Sequence, residues 1–226
     1  MSQWKRLELD RRLSLDLTFY PSFTLPYLER VERESWVVTA GVFKGGMLRV
    51  TGRTLEYRGV PDTAVEYIAG FWLDPFRLLR ELPRSARLRA EPIVEAYGEL
   101  GLAINPFDRT LIFISVFLSR STDFHRNTVR WCRSIASLLE AGSPLDSTTL
   151  KTLGSSYHLK QLPEALTLYY STVKPLEDRG ASVEEVRRAL MKIRYVGAKT
   201  ATAYLLFTDP RASHLAPYDT HFKSMI

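Results

Sequence analysis

Apolar and polar positions alternate along the first 60 residues, which predicts a region rich in β-strands. Residues 13–19 alternate with a period of two, and residues 36–43 form a β-branched run that ends at a Lys-Gly-Gly turn. Residues 47–51 and 54–57 continue the pattern on either side of a Gly-Arg turn. Because short strand-like runs separated by turn residues are typical of hairpins, we predict a short antiparallel meander here.

After about residue 70 the spacing of apolar residues becomes helical. Asp74 precedes a proline and an apolar run, and Asp108 precedes a second run; each aspartate is expected to cap a helix. Asp123 is expected to open a further helix that continues to about residue 139. Ser182 is followed three residues later by Glu185, the pattern of a capping box. A series of separate helices is therefore predicted.

These patterns predict an α+β fold with a β-rich amino-terminal lobe over residues 1–70 and a helical domain over residues 71–226. A chain of 226 residues suits one large domain or two small ones. Its formal net charge of +6 favours a polyanionic partner, because lysine and arginine can neutralise phosphates.

Cysteine usage and the remaining composition exclude several kinds of site. Cys132 is the single cysteine, so it cannot form an internal disulfide, and the chain cannot supply a four-cysteine cluster or zinc site. Apolar neighbours favour a buried thiol. Residues 1–12 are too polar for a signal peptide, and no apolar run is long enough to span a membrane. We therefore expect an intracellular protein with no cofactor, no metal and no membrane partner.

Two linked motifs lie near the carboxyl end. Residues 193–201 read IRYVGAKTA, a tight turn that opens a helix, and residues 217–221 read PYDTH. Lys199 of the first motif precedes Asp219 of the second by twenty positions. Gly197 can adopt a positive φ or let a phosphate approach the backbone, and the N–H groups at a helix start favour an anion.

This pair of motifs resembles the helix-hairpin-helix DNA glycosylases, whose usual form is L-P-G-V-G-x-K-T-A followed about twenty residues later by P-V-D-T-H. The resemblance implies a hairpin that grips the DNA backbone without reading its sequence. It implies DNA contacts along the two motifs, at Arg194, Tyr195, Gly197, Thr200 and His221. The family usually has proline where Arg194 stands and glycine where Tyr195 stands.

The resemblance also implies the catalytic residues. Lys199 occupies the position where bifunctional members carry a lysine nucleophile, which attacks C1′ of the damaged nucleotide and forms a Schiff base. Asp219 is the expected carboxylate that stabilises positive charge on the sugar and helps deprotonate the nucleophile. The alternatives are that Lys199 only contacts phosphate and that Asp219 is only a helix cap.

Residues 117–125 lie where 8-oxoguanine glycosylases have a loop that fills the gap left by a flipped nucleotide. The resemblance therefore suggests DNA contacts from Arg120, Ser121, Thr122 and His125. The alternative is that residues 121–123 simply cap the next helix.

The branch implied by these features is that of the 8-oxoguanine DNA glycosylase/AP lyases. A β-rich lobe, the absence of cluster cysteines and the hairpin lysine all favour it. The expected partner is double-stranded DNA containing a damaged base, bound by a monomer of prokaryotic origin. Further helices follow the aspartate in the family, so we expect the helical domain to be incomplete at its carboxyl end. The competing interpretations are a monofunctional 3-methyladenine-type glycosylase and a non-catalytic DNA-binding module.

Overall fold

A computed structural model describes residues 3–215 of the protein. The described residues contain five strands, which are β1 (Lys5–Glu8), β2 (Leu28–Glu32), β3 (Ser35–Val38), β4 (Met47–Thr51) and β5 (Thr54–Arg58). They also contain eleven α-helices, which are α1 (Leu15–Phe19), α2 (Asp62–Ala69), α3 (Pro75–Glu81), α4 (Arg84–Tyr97), α5 (Arg109–Leu118), α6 (Val129–Glu140), α7 (Ser147–Lys151), α8 (Tyr157–Leu168), α9 (Lys174–Asp178), α10 (Val183–Leu190) and α11 (Ala198–Thr208). The predicted α+β class is confirmed.

The five strands form one antiparallel sheet in the order β1-β5-β4-β3-β2. The meander β3-β4-β5 is the one predicted, and alternate residues of β4 and β5 are buried, such as Leu48 and Leu55. Strand β3 ends at Val38, earlier than predicted, because the chain turns back through two glycines with positive φ, Gly41 and Gly45. Strands β1 and β2 were not predicted.

The strand predicted over residues 13–19 is wrong, because this segment contains helix α1. Ser14 caps the helix by accepting a hydrogen bond from the Leu17 amide at 3.2 Å. The Glu34 carboxylate accepts from the amides of Leu15 at 2.6 Å and Asp16 at 3.2 Å. These bonds satisfy first-turn amides that an isolated helix would leave open, which favours the helix over the alternating strand.

By its internal contacts the chain divides into two compact units, residues 1–104 and residues 105–226. The first unit holds the sheet and helices α1–α4, and the second holds α5–α11. The boundary predicted at residue 70 was based on a change from strand-like to helical patterns. That residue 70 separates two domains stays a prediction. No helix within residues 3–215 is long and apolar enough to cross a membrane.

The predicted helix starts are largely confirmed. Asp74 accepts from the Phe76 amide at 3.0 Å, and Asp123 accepts from the Arg126 amide at 2.9 Å. A π-helical turn, Phe124–Thr128, then leads into α6. Asp108 stands at the start of α5 as predicted, but its side chain makes no capping bond.

The core of the second unit is built around α5. Every residue from Leu111 to Leu118 is buried, and Phe113 stacks on Tyr169 with ring centroids 4.5 Å apart. Cys132 of α6 is fully buried, which confirms the predicted core thiol. Because α5 lies within this core, the loop that follows Leu118 starts from a fixed position.

Candidate functional site

The predicted hairpin is present in the second unit as α10, a turn and α11. The capping box is formed as expected: Ser182 accepts from the Glu185 amide at 3.3 Å, and Glu185 accepts from the Ser182 amide at 3.0 Å. Leu190, Ile193 and Val196 are buried. The hairpin is therefore anchored by its apolar side, and its turn is held between two buried residues.

The turn itself is a four-residue β-turn over residues 193–196. The Val196 amide donates to the Ile193 carbonyl at 3.0 Å, and the third residue, Tyr195, has φ of 70°. A positive φ at the third position is the mark of a type II turn, which favours proline second and glycine third. Here Arg194 and Tyr195 stand at those positions. A residue with a Cβ pays about 1–2 kcal/mol for the left-handed conformation.

Gly197 does not use the positive φ that its residue type allows. Its φ is −89°, which is extended backbone, and the left-handed position falls on Tyr195 instead. The other role predicted for Gly197, close approach of a phosphate to its backbone, stays a prediction. Space is available for it, because a Cβ at Gly197 would meet no atom within 4 Å. Gly197 is the N-cap of α11 and has no side chain that could cap the first amides.

Helix α11 is mostly buried, and its first turn reaches solvent. Ala198 and Lys199 are exposed and Thr200 is half-buried, whereas Ala201 to Leu205 are buried. Lys199 therefore lies on the accessible end of a helix that is otherwise fixed in the core. A cationic side chain and the amides of the same helix start point to one kind of ligand, an anion.

A buried polar network fixes the middle of α11. The Tyr204 hydroxyl donates a short hydrogen bond to the Glu177 carboxylate, and the Tyr169 hydroxyl donates to it at 2.9 Å. Arg109 lies 3.4 Å from Glu177, whose side chain is 3% exposed. Burial raises the pKa of Tyr204 and of Tyr169, so both phenols remain neutral donors to the carboxylate.

Arg120, predicted to contact DNA, turns its guanidinium toward the protein. Nε donates to the Phe117 carbonyl at 2.7 Å, Nη1 to the Tyr195 carbonyl at 2.7 Å and Nη2 to Gln161 Oε1 at 2.9 Å. Its charged end also lies 3.8 Å from the centroid of the Phe117 ring. The DNA contact therefore stays a prediction for this residue, and the structure gives it an intramolecular role.

His158 and Gln161 on α8 are parts of this arrangement that sequence reasoning missed. His158 is 2% exposed, and its Nδ1 lies 3.4 Å from Arg120 Nη2. Burial and the nearby Arg120 charge lower the pKa of His158. Neither residue belongs to a motif, so no local signal in the sequence identifies them.

The loop after α5 presents the remaining predicted contacts. Ser121 is exposed with φ of 48°, and His125 is exposed with its ring against Phe124. Thr122 is half-buried and accepts a hydrogen bond from Asn127 Nδ2 at 3.0 Å. Arg126, which sequence reasoning missed, extends into solvent from the same loop.

Exposed cations lie on and beside the hairpin turn: Arg194 belongs to the turn, Lys192 directly precedes it and Lys199 lies in the first turn of α11. The Arg194 guanidinium is 3.9 Å from Glu164, a pair that is exposed on both sides. Asp219 and His221 lie outside the described residues. Within residues 3–215, no group of three or more His, Cys, Asp or Glu side chains could hold a metal ion.

No family model matches the chain, and no curated protein matches it. Several solved structures do. An 8-oxoguanine glycosylase/lyase from Clostridium acetobutylicum, solved with DNA containing cytosine opposite 8-oxoguanine, has a TM-score of 0.75 and 16% identity over 99% of this chain and 83% of its own. MBOgg1, solved with a low-affinity DNA ligand, has a TM-score of 0.71 and 16% identity over 99% and 85% of the two chains.

A third similar structure is the 3-methyladenine DNA glycosylase from Archaeoglobus fulgidus. Its TM-score is 0.68 and its identity is 16%, over 96% of this chain and 82% of its own. The likeness extends over the sheet-bearing unit as well as the helical one, whereas the motif resemblance was confined to the last residues. This protein therefore has the fold of the helix-hairpin-helix DNA glycosylases.

Proposed function

We propose that this protein is a DNA glycosylase with AP lyase activity that excises an oxidised purine, with 8-oxoguanine as the preferred base. The observation that carries the proposal is the exposed first turn of α11, where Lys199 and a helix start with no side-chain cap lie together. A phosphate at this helix start would bring the DNA backbone beside the lysine. The fold shared with the Clostridium acetobutylicum glycosylase/lyase supports the same activity.

In this proposal Lys199 is the nucleophile. Its neutral amine attacks C1′ of the flipped nucleotide, the bond from C1′ to the base nitrogen breaks, and the base leaves with a proton. The sugar ring then opens to an imine between the lysine and C1′. Loss of a proton from C2′ breaks the bond from C3′ to its phosphate oxygen, which is β-elimination.

Asp219 acts on the same carbon. Departure of the base builds positive charge on the sugar, as in glycoside hydrolysis, and a carboxylate beside C1′ stabilises that charge. It can also accept the proton that the attacking amine loses. Arg194, Thr200 and His221 are proposed backbone contacts, and Ser121, Thr122 and His125 are proposed contacts of the loop that faces the flipped nucleotide.

The proposal predicts that Lys199→Gln abolishes the protein–DNA adduct trapped by borohydride, because only an imine is reduced to a stable bond. DNA affinity should stay within about threefold, since a nucleophile acts in the chemical step and the proposed phosphate contacts are unchanged. Lys192→Gln, an exposed lysine just before the hairpin turn, is the matched control and should keep the adduct. An undiminished adduct in Lys199→Gln would assign the nucleophile to another amine.

Substrate choice is tested by competition between otherwise identical duplexes carrying 8-oxoguanine, hypoxanthine, uracil, thymine glycol or an alkylated adenine. We expect 8-oxoguanine to be released fastest. A pocket that accepts a hydrogen bond from N7–H of 8-oxoguanine leaves normal guanine with two facing lone pairs, which disfavours its binding. Release of another base at least ten times faster would contradict the substrate and leave the glycosylase proposal standing.

A monofunctional glycosylase of alkylated bases is the second candidate, supported by the fold shared with the Archaeoglobus fulgidus enzyme. In that case Lys199 would only contact phosphate, a role that its exposure also suits. The two candidates differ in one result: the monofunctional enzyme releases the base but yields no adduct with borohydride. DNA binding without release of any base would instead indicate a non-catalytic module.

A further inference from the structure

We propose that Arg120 is a positioning residue that holds the hairpin turn of residues 193–196 in its left-handed conformation. Its hydrogen bond to the turn compensates for the absence of the proline and glycine that such a turn favours. The inference about DNA binding rests on the proposed function. The inference about the turn rests on the contacts of Arg120 and the backbone of Tyr195, so it can stand even if the proposed function fails.

The residues of the turn do not favour its conformation by themselves. Tyr195, at φ of 70°, carries a Cβ and a large ring in a region that suits glycine. Arg194 lacks the fixed φ that proline would bring to the second position. The buried flanks Ile193 and Val196 keep the ends of the turn in place but do not determine the conformation of the peptide between them.

Arg120 supplies a bond at the required point. Its Nη1 donates to the carbonyl of Tyr195, the residue with positive φ, at 2.7 Å. The other two donors bind the Phe117 carbonyl at the end of α5 and Gln161 on α8. A planar guanidinium with two anchored donors has little freedom to move its third, so the position of the Tyr195 carbonyl is imposed by the core.

The conformation of the turn affects the start of α11, where we propose that a phosphate binds. Val196 and Gly197 follow Tyr195 directly, and α11 begins at Ala198. If the Tyr195 carbonyl were released, Tyr195 would leave the left-handed region, and the amides at the start of α11 would change direction. The amides that precede Lys199 would then no longer face the same ligand as its side chain. Arg120 thus acts on DNA binding through the turn and without touching DNA.

The test is a double-mutant cycle of Arg120→Ala and Tyr195→Gly, read first without DNA. Hydrogen exchange of the Val196 amide, which donates across the turn, reports its opening. Arg120→Ala should accelerate this exchange at least ~10-fold, the effect of losing one charge-assisted hydrogen bond. With glycine at 195 the same change should have an effect of less than ~3-fold, because glycine adopts the conformation unaided.

The second reading is affinity for a duplex with an abasic-site analogue. Arg120→Ala should weaken binding about 10-fold, and Tyr195→Gly should restore most of that loss. Tyr195→Ala is the matched control, since it removes the ring but keeps a Cβ in the left-handed region, and it should restore nothing. Ile135→Val, a truncation in the core of α6, should lower stability and leave affinity unchanged.

Arg120→Lys distinguishes positioning of the turn by Arg120 from a direct contact between Arg120 and phosphate. Lysine keeps the charge but cannot donate to three separate acceptors in a plane, so it should behave like alanine in both readings. If lysine preserves affinity and glycine at 195 restores nothing, Arg120 contacts DNA and the proposal is overturned. An equal effect of Arg120→Ala on exchange in both backgrounds would also overturn it. Failure of the wild type to bind DNA would refute the proposed function and leave the exchange result to stand by itself.

Discussion

Individual residues of the second unit are held in conformations that their types do not favour. Ser121 and Tyr195 both have positive φ, and Arg120 connects the two segments by its bond to the Tyr195 carbonyl. Backbone strain of this kind persists where the surrounding contacts determine the conformation, and it is concentrated at functional sites. Here the strained residues belong to the two segments for which the motif resemblance predicts DNA contacts.

His158 gives a prediction about pH at the level of one residue. Its Nδ1 accepts from Arg120 in the neutral form, whereas a protonated ring would lose that acceptor and repel the guanidinium. Because its pKa is lowered in the folded state, the unfolded state binds the proton more readily. Its contribution to stability is therefore complete above the unfolded pKa of 6.5 and is lost progressively as pH falls below it.

The expected result is that the free energy of unfolding falls between pH 7.5 and 5.5 by up to about 1.4 kcal/mol more in the wild type than in His158→Gln. Urea denaturation at the two pH values measures the difference. Ile135→Val, which changes no titratable group, should retain the wild-type dependence. A wild-type pH dependence in His158→Gln would contradict the assignment.

Helix α11 is fixed by buried contacts at its centre, whereas its first turn is exposed to solvent. Tyr204 in its middle binds Glu177 of α9, and Glu177 is also bound by Tyr169 and paired with Arg109 of α5. A buried carboxylate is stable only when its charge is compensated in this way. The network holds the buried part of α11, so that its first turn can be presented to solvent without loss of order.

We therefore predict that Glu177→Gln lowers the free energy of unfolding by about 2–3 kcal/mol, since it removes the charge that two phenols and Arg109 compensate in a buried set of hydrogen bonds. Chemical denaturation measures this loss. Asp178→Asn is the matched control: the neighbouring carboxylate is 60% exposed, and its pair with Lys174 should contribute less than about 0.5 kcal/mol. Equal losses in the two variants would contradict the role given to Glu177.

For the whole molecule, a net charge of +6 predicts DNA binding that depends on salt. Three exposed cations of the hairpin and the adjacent loop are candidates for phosphate contacts: Arg126, Lys192 and Arg194. Each phosphate neutralised contributes about −0.9 to the slope of log affinity against log salt concentration. The same charge favours association with any polyanion, so it contributes affinity without choosing a base.

The expected slope is about −2 to −3, which corresponds to roughly a 40-fold loss of affinity between 50 and 200 mM salt. Fluorescence anisotropy with a labelled duplex measures it. Lys192→Gln should make the slope less negative by about one, whereas Arg77→Gln, an exposed arginine on α3, should leave it unchanged. A slope near zero would mean that these cations do not contact phosphate.

The sequence by itself determined the features that depend on neighbouring residues. The capping box at Ser182, the caps at Asp74 and Asp123 and the strands β4 and β5 could all be predicted, because a cap or a hairpin is formed by residues a few positions apart. The hairpin motif also predicted the fold that this chain shares with the helix-hairpin-helix DNA glycosylases. The turn, its glycine and the helix start lie within a few residues of one another, so a single sequence was sufficient.

Tertiary structure decided what depends on residues far apart in the chain. Residues 15–19 form a helix because the Glu34 carboxylate reaches the first amides of α1, a contact that alternation of apolar residues cannot indicate. Arg120 turns inward because Gln161 and the Tyr195 carbonyl meet it in space. A hydrogen-bonding partner distant in sequence has no local pattern, and its geometry can outweigh the preference of the residue itself. For this reason a tyrosine can occupy a position whose backbone conformation favours glycine.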